Sequence, residues 1–483
     1  MVFKASRIIH HARGTYDSQQ HGQSMSDING NGDATTIAII GAGFSGTLLA
    51  VNLLNQTDAR VILIERLPER VGRGVAYSTK ESNHLLNVRA SNMSAFPDDP
   101  DHFVTWLTER GAGTAHEFVS RQKYGDYLSQ TLSTCRKSCG DRLQILHDES
   151  VSVVETDHDA ILHLASGERI VADRVVLSLG NLPPHDPVSD LRRTVSADRY
   201  IADPWSYSLG KDLGAQDQVL IIGTGLTAVD VILRLVSNGY QGKIVAMSRR
   251  GLRPHRHFEG LPRPTPVLSK PAPTLSGVSQ WLRQKSREQD WRLTVDSIRP
   301  ITQMIWSSLD IRTRKRFLRH ARPFWDVHRH RIAPAIADQI DALVAQGRLE
   351  FCGGKPQQFD EHPDKVVVHW RPRGSETIAQ MDVAQVINCT GPQGDVLRSE
   401  DPHIVQMLAD GHIRPDALRL GIDADGYGYV IRRDGRPSRH IMAVGPMTRS
   451  SLWEVVAVPD IRSQVSSLAR RIGNCHWVGG ERL

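Results

Sequence analysis

From Thr36 to Glu65 the chain reads TIAIIGAGFSGTLLAVNLLNQTDARVILIE, and few folds accept that order of residues. The apolar run Ile37 to Ile40 predicts a buried parallel strand. Gly41, Gly43 and Gly46 follow as G-x-G-x-x-G, and Thr47 to Leu54 continues as an apolar-faced helix. A second strand, Val61 to Ile64, ends in Glu65, about twenty residues beyond the last glycine. Gly41 permits the tight turn, Gly43 lets a pyrophosphate approach the main chain, and Gly46 lets helix and strand pack closely. The helix start at Phe44 and Ser45 offers free N–H groups and a positive dipole end to that phosphate. Glu65 is placed to accept hydrogen bonds from an adenosine ribose, with Arg66 beside it. The run is also about long enough for a membrane span. Three glycines and a serine at the turn, with a second strand following, argue against that.

Asp217 opens a second copy, DQVLIIGTGLTAVDVILRLVSNGYQGKIVAMSRRG. Its strand is Val219 to Ile222 and its turn is Gly223, Gly225 and Ala228, with Leu226 and Thr227 at the helix start. The next strand ends in Ser248, Arg249 and Arg250 rather than in an acid. Arginines suit a ribose 2′-phosphate where an acid suits a 2′-hydroxyl, so this copy reads as an NADPH site, with NADH the lesser alternative. Two such modules imply two cofactors, FAD on the first and NADPH on the second. Hydride then passes from nicotinamide to flavin, with the protein supplying placement.

Between the copies, Arg73 to Tyr77 and Asn87 to Met93 are expected to line the first cofactor. Asp101 to Glu109 and Arg121 to Leu132 read as helices. Leu143 to Leu179 reads as a three-stranded meander that carries Val153, returns to the central sheet and ends at Gly180. Pro254 to Pro273 reads as a connector and Gly277 to Gln346 as a helical insertion rich in Arg and His. A later strand reaches Gly391 through Cys389 and Thr390. A final strand turns at Gly445 and Pro446 into a closing helix expected to begin around Leu452 to Glu454, with its N-terminus and Trp453 near the flavin edge. Residues 1–33 read as a disordered tail or an over-long start. The fold class is α/β with two Rossmann-like, glutathione-reductase-like domains: 34–210 with 383–483 for FAD, and 211–382 for NAD(P)H with the insertion at about 255–347.

At 483 residues, 40% hydrophobic and 23% charged, the chain is that of a globular enzyme of two or three domains. The net charge of +6 suits phosphate-bearing cofactors or an acidic substrate. Five scattered cysteines fit a reducing compartment, hence a cytoplasmic expectation. Cys135 and Cys139, spaced C-x-x-x-C after a surface-like helix, are not a redox C-x-x-C, which argues against a disulfide reductase. His328 and His330, two apart, lie on different helix faces and no carboxylate set completes a metal site. Acids interleave the arginine-rich helices, and no nucleic-acid motif is present. For Trp325 to Arg331 (WDVHRHR) two readings stand level. Either His328 or Arg331 contacts NADPH phosphates or an anionic substrate, or Trp325 anchors the insertion while the cations face water.

The motifs GAGFSG, GRGVAYST, HLLNVRASNMS, LSLGN, GTGLTA, SRRG, WDVHRHR, NCTGP and GPMTRSSLWEVVAVPDIRSQ resemble the bacterial FAD/NAD(P)-binding oxidoreductases. These are akin to flavin-containing monooxygenases, including urate hydroxylases and amino-acid N-hydroxylases. The resemblance implies that Gly41, Gly43, Gly46 and Glu65 hold the ADP half of FAD. Asn87, Val88 and Met93 would lie near the flavin ring and Gly445 to Thr448 near its ribityl chain, with Gly223, Gly225 and Arg249 holding NADPH. A Baeyer–Villiger fingerprint is missing where DRYIADPWSYSL stands. The implied activity is hydroxylation of a small, nitrogen-containing substrate by molecular oxygen through a flavin C4a-hydroperoxide. The rival is an NAD(P)H-dependent flavoprotein reductase without oxygen insertion. No side chain need act as nucleophile, no nucleic-acid or membrane partner is implied, and the chain is expected as monomer or homodimer.

Overall fold

The computed structural model describes residues 34–205, 209–210, 213–260 and 271–473. The expected tail, half of the Pro-rich connector, Cys475 and part of DRYIADPWSYSL lie outside them.

Two sheets organise the chain. The first has six strands in the order Tyr429–Ile431, Pro437–Ala443, Arg174–Leu177, Thr36–Ile40, Arg60–Ile64, Leu143–Leu146. Thr36–Ile40 sits at its centre, paired in parallel with Arg60–Ile64 and Arg174–Leu177, and is buried from Ile37 onward. Burial on both faces explains why these strands read as unbroken apolar runs. The helix Phe44–Gln56 packs between Arg121–Cys139 and Val458–Ile472 and is buried from Phe44 to Leu54. That enclosure, rather than lipid, accounts for its apolar circumference. No described helix is long and apolar enough to cross a membrane.

The second sheet has seven strands in the order Ala379–Val383, Val366–Pro372, Leu349–Glu361, Lys243–Ser248, Gln218–Ile222, Gln385–Asn388, Tyr200–Ile201. Its parallel part is extended by an antiparallel hairpin at the Leu349–Glu361 end. Tyr200–Ile201 and Gln385–Asn388 join this sheet from outside the expected span 211–382, so the chain crosses between units before 200 and after 388. The crossings touch at a bridge between Leu182 and Gln393. A separate antiparallel sheet, Ser150–Glu155, Ala160–Leu164 and Arg169–Ala172, is the meander.

The insertion comprises the helices Leu275–Lys285, Trp291–Ser297, Thr302–Ser308, Ile311–Arg316 and Arg322–Arg329, the last two joined by a π-helical turn at Phe317–Ala321. Pro334–Ala345 buries Ile336, Ala337, Ile340 and Leu343 in the core of the second sheet. It is the crossover helix into Leu349–Glu361, which shortens the free-standing part of the insertion. The Arg121 helix runs on to Cys139 and buries both cysteines, where a surface-like helix ending near Leu132 is expected from sequence. Burial pushes the Cys135 thiol up to about 11, which makes it inert.

Candidate functional site

At the first glycine turn the three glycines do different things. Gly41 has φ +98°, and a Cβ there would lie 2.4 Å from the Ser178 carbonyl oxygen. A Cβ on Gly46 would fall 1.9 Å from the Gly41 carbonyl oxygen. These two are small because the protein itself closes on them. Gly43 is extended (φ −70°), and its Cβ would meet nothing nearer than the Gly74 Cα at 3.4 Å. No protein atom demands a glycine at Gly43, yet it caps a thirteen-residue helix whose first N–H groups receive no side-chain cap and no acid. That combination fits a pyrophosphate. Glu65 accepts from the N–H of Ala42 (3.1 Å) and of Leu67 (3.2 Å), which pins its carboxylate beside the turn while each oxygen keeps acceptor capacity.

The far C-terminal turn joins this site. Gly445 has φ +79°, and a Cβ there would lie 2.6 Å from the Ser45 hydroxyl. Gln464 accepts from Gly445 N–H (2.8 Å) and donates to the Thr448 hydroxyl (2.9 Å), so the closing helix fixes the turn Gly445–Thr448, including buried Pro446. Gly180 and Gly391, both at positive φ, have open space where a Cβ would go.

Other residues expected at the first cofactor have protein partners of their own. Arg66 pairs with Glu149 (3.0 Å) and Arg73 with Asp126 (2.6 Å), both in exposed bridges. Val153 and Met93 are core side chains and Val88 packs against the first core, so none of these presents a polar group. The Asn87 carbonyl is bonded by His257 Nε2 at 2.8 Å.

At the second turn Gly223 has φ +125° and abuts the Cys389 carbonyl, whereas Gly225 opens an uncapped helix with free space around its missing Cβ. Leu226 packs against the second core and Thr227 is half-buried. Ser248 is structural, bonded to the Thr224 hydroxyl (2.9 Å) and to Gly251 N–H (3.0 Å). Arg250 lies over the Phe324 ring, 5.0 Å from its centroid. Arg249 is exposed and makes no ion pair among the described residues.

The two units meet through a partly buried ion pair, Arg121–Asp230 at 2.9 Å. His84 Nε2 adds a bond to the Asp230 carbonyl, and Arg89 bonds the carbonyl of Phe258. Sequence reasoning missed this seam, since Asp230 reads there as one acid on an apolar helix.

The closing helix begins at Val458, not around Leu452 to Glu454. Pro459 suits its first turn, and Glu454 sits before it at φ +69° in a string of turns. Trp453 stacks on Trp306 at 4.6 Å between centroids, so its ring packs against the insertion and opens no helix. Glu454 accepts from Trp325 Nε1 (2.5 Å) and Arg329 Nε (2.9 Å). Burial pushes its carboxyl up, but Arg329, His330 and the two donated bonds outweigh this and hold it below the usual value. Neither reading of the WDVHRHR segment is complete. Trp325 does anchor the insertion, but Arg329, His330 and Arg331 turn inward instead of facing water. Glu454→Ala strands a buried guanidinium and should cost about 3–5 kcal/mol, read from thermal or denaturant unfolding. Because the folded pKa is depressed, this contribution is present above the ordinary glutamate pKa and lost as pH falls through the folded one.

Residues 38–182 match the family model described as FAD-NAD(P)-binding, which makes this stretch an FAD/NAD(P)-binding domain. No curated protein sequence matches the chain. Among solved structures, the ornithine N-hydroxylase of Kutzneria sp. 744, solved with reduced FAD, NADP+ and L-ornithine, is 15% identical. The match covers 92% of this chain and 100% of that one, with a TM-score of 0.60. The L-lysine 6-monooxygenase of Pseudomonas syringae is 17% identical over 92% and 99%, with a TM-score of 0.60. The bacillithiol disulfide reductase of Bacillus cereus is 13% identical over 92% and 100%, with a TM-score of 0.54. At these identities the likeness is one of fold: the chain has the architecture of two-dinucleotide flavoproteins.

Proposed function

We propose that the protein is an FAD-dependent, NADPH-consuming monooxygenase that hydroxylates a small, nitrogen-containing organic substrate. The observation that carries this reading is the pair of uncapped glycine turns, each with one glycine that no protein contact requires. Gly43, Ser45, Glu65 and the turn Gly445–Thr448 would hold FAD, and Gly225, Thr227 and Arg249 would hold NADPH. Bound FAD supplies two-electron chemistry and a route from nicotinamide to oxygen. The chain orients both cofactors and keeps water out. The buried Trp306–Trp453 stack, with Phe317 edge-on at 5.5 Å, packs an apolar layer between the C-terminal turns and the insertion.

The hydroxylases of similar fold act on ornithine and lysine, which supports an amine-bearing substrate. A disulfide reductase needs a flavin-facing dithiol. Among the described residues Cys135 and Cys139 are buried on a helix, and Cys352 and Cys389 stand in the second unit with thiols pushed up by burial. NADPH consumption with and without oxygen, together with released peroxide, tests the reading. Oxygen-dependent consumption coupled to product is expected. Oxygen-independent turnover of the true substrate would instead make the protein a flavoprotein reductase.

A further inference from the structure

Arg331 follows the helix Arg322–Arg329, and its side chain is 1% exposed. Nη2 bonds Asp296, whereas Nε and Nη1 are buried without a partner among the described residues. The counter-charge is weak: Asp296 is 43% exposed and is shared with Arg329, 3.9 Å away. Around the guanidinium stand further cations and imidazoles, namely Arg89, Arg292, Arg329, His255 and His257. Burial, followed by the Arg331 charge, pushes His257 down to about 4, so at neutral pH it is uncharged with Nε2 committed to Asn87. A guanidinium stays charged when buried, and two idle donors on it are costly unless something fills them. A cavity of about 270 Å³ is walled by its neighbours His255, Arg292 and Ile332 but not by Arg331 itself, whose guanidinium lies 5.9 Å from the Trp291 ring centroid.

We propose that this cluster is an oxyanion site: a carboxylate or phosphate of a ligand completes the coordination of Arg331. Arg89, already bonded to the His116, Phe258 and Gly260 carbonyls, and Arg292, bonded to Asp290 and the Arg256 carbonyl, add positive charge rather than a free donor pair. The cluster lies where the first unit's segment 87–89 meets the insertion and the strap His255–Phe258. The group therefore belongs either to the organic substrate or to the nicotinamide dinucleotide. The inference rests on the cleft being a ligand cleft, as in the function proposed above, but its test needs neither turnover nor oxygen.

The thermal midpoint of the FAD-loaded protein is measured in inorganic phosphate and in chloride at matched ionic strength. Wild type should be stabilised by phosphate beyond chloride, and Arg249→Ala should keep most of that rise. Arg331→Met should lose it, and in chloride should unfold no lower than wild type because an unmatched buried charge has gone. An equal rise in wild type and Arg331→Met, or no phosphate-specific rise in wild type, overturns the site. Should Arg331→Met fail to fold, Arg331→Lys replaces it. A diminished rise supports the site, since an ammonium presents its donors differently from a guanidinium, and an undiminished rise overturns it. NADPH titration then assigns the anion. Tenfold or greater weakening in the variant that folds places a dinucleotide phosphate at Arg331, and unchanged affinity excludes the dinucleotide and leaves the organic substrate as the anion's source.

Discussion

Gly43→Ala is expected to fold and to shed most of its flavin. The backbone at Gly43 lies in a region open to any residue, and the added Cβ meets only Gly74 Cα at ordinary contact distance. The fold therefore has little to lose. The same methyl group occupies the approach to the uncapped helix N-terminus, where a pyrophosphate must come against bare backbone. Flavin affinity should fall by at least tenfold to a hundredfold, roughly 1.4–2.8 kcal/mol. The measurement is the ratio of flavin to protein absorbance after gel filtration, with circular dichroism as the check on folding. Gly46→Ala is the control of opposite kind: its Cβ falls inside van der Waals contact with the Gly41 carbonyl, so it should lose the fold along with the flavin. Full flavin occupancy in folded Gly43→Ala would refute the first site.

Arg249→Ala is expected to weaken NADPH by roughly 1.5–3 kcal/mol, the loss of a hydrogen bond to a charged group, and to leave NADH nearly untouched. Arg249 is exposed and has no ion pair among the described residues, so its removal should cost the fold little, whereas Arg250 rests on Phe324. Arg250→Ala should accordingly show the smaller NADPH effect of the two. The check is a pair of dissociation constants for each variant. Equal losses for NADPH and NADH would defeat the 2′-phosphate assignment.

Both glycine turns were legible in the sequence because each is local. A strand, a turn and a helix lie within a few tens of residues, and the steric reasons for glycine act between near neighbours. The strand that returns through Gly445 was legible for the same reason. What escaped was set by distance along the chain. Gln385–Asn388 reads as a buried strand in any sheet, and only its parallel pairing with Gln218–Ile222 assigns it to the second unit. The start of the closing helix was misplaced because Trp453 and Glu454 mimic a helix opening. Their partners, Trp306, Trp325 and Arg329, lie over a hundred residues away. The inward turn of Arg329 and Arg331 was hidden likewise, since a run of cations ordinarily faces water, and their acids, buried Glu454 and half-exposed Asp296, come from other segments. Arg66 and Arg73 are the converse case. Their positions beside the turn suit a phosphate, and their exposed bridges to Glu149 and Asp126, which arrive from other elements, could not be read locally.

The central claim is that one polypeptide brings two dinucleotides face to face so that electrons pass between them. Anaerobic mixing of the FAD-loaded protein with NADPH, followed at the flavin's long-wavelength absorption band, tests it most directly. The band should bleach without any added substrate or oxygen. A protein that takes up no flavin, or whose bound flavin keeps its full colour under saturating NADPH, would contradict the account.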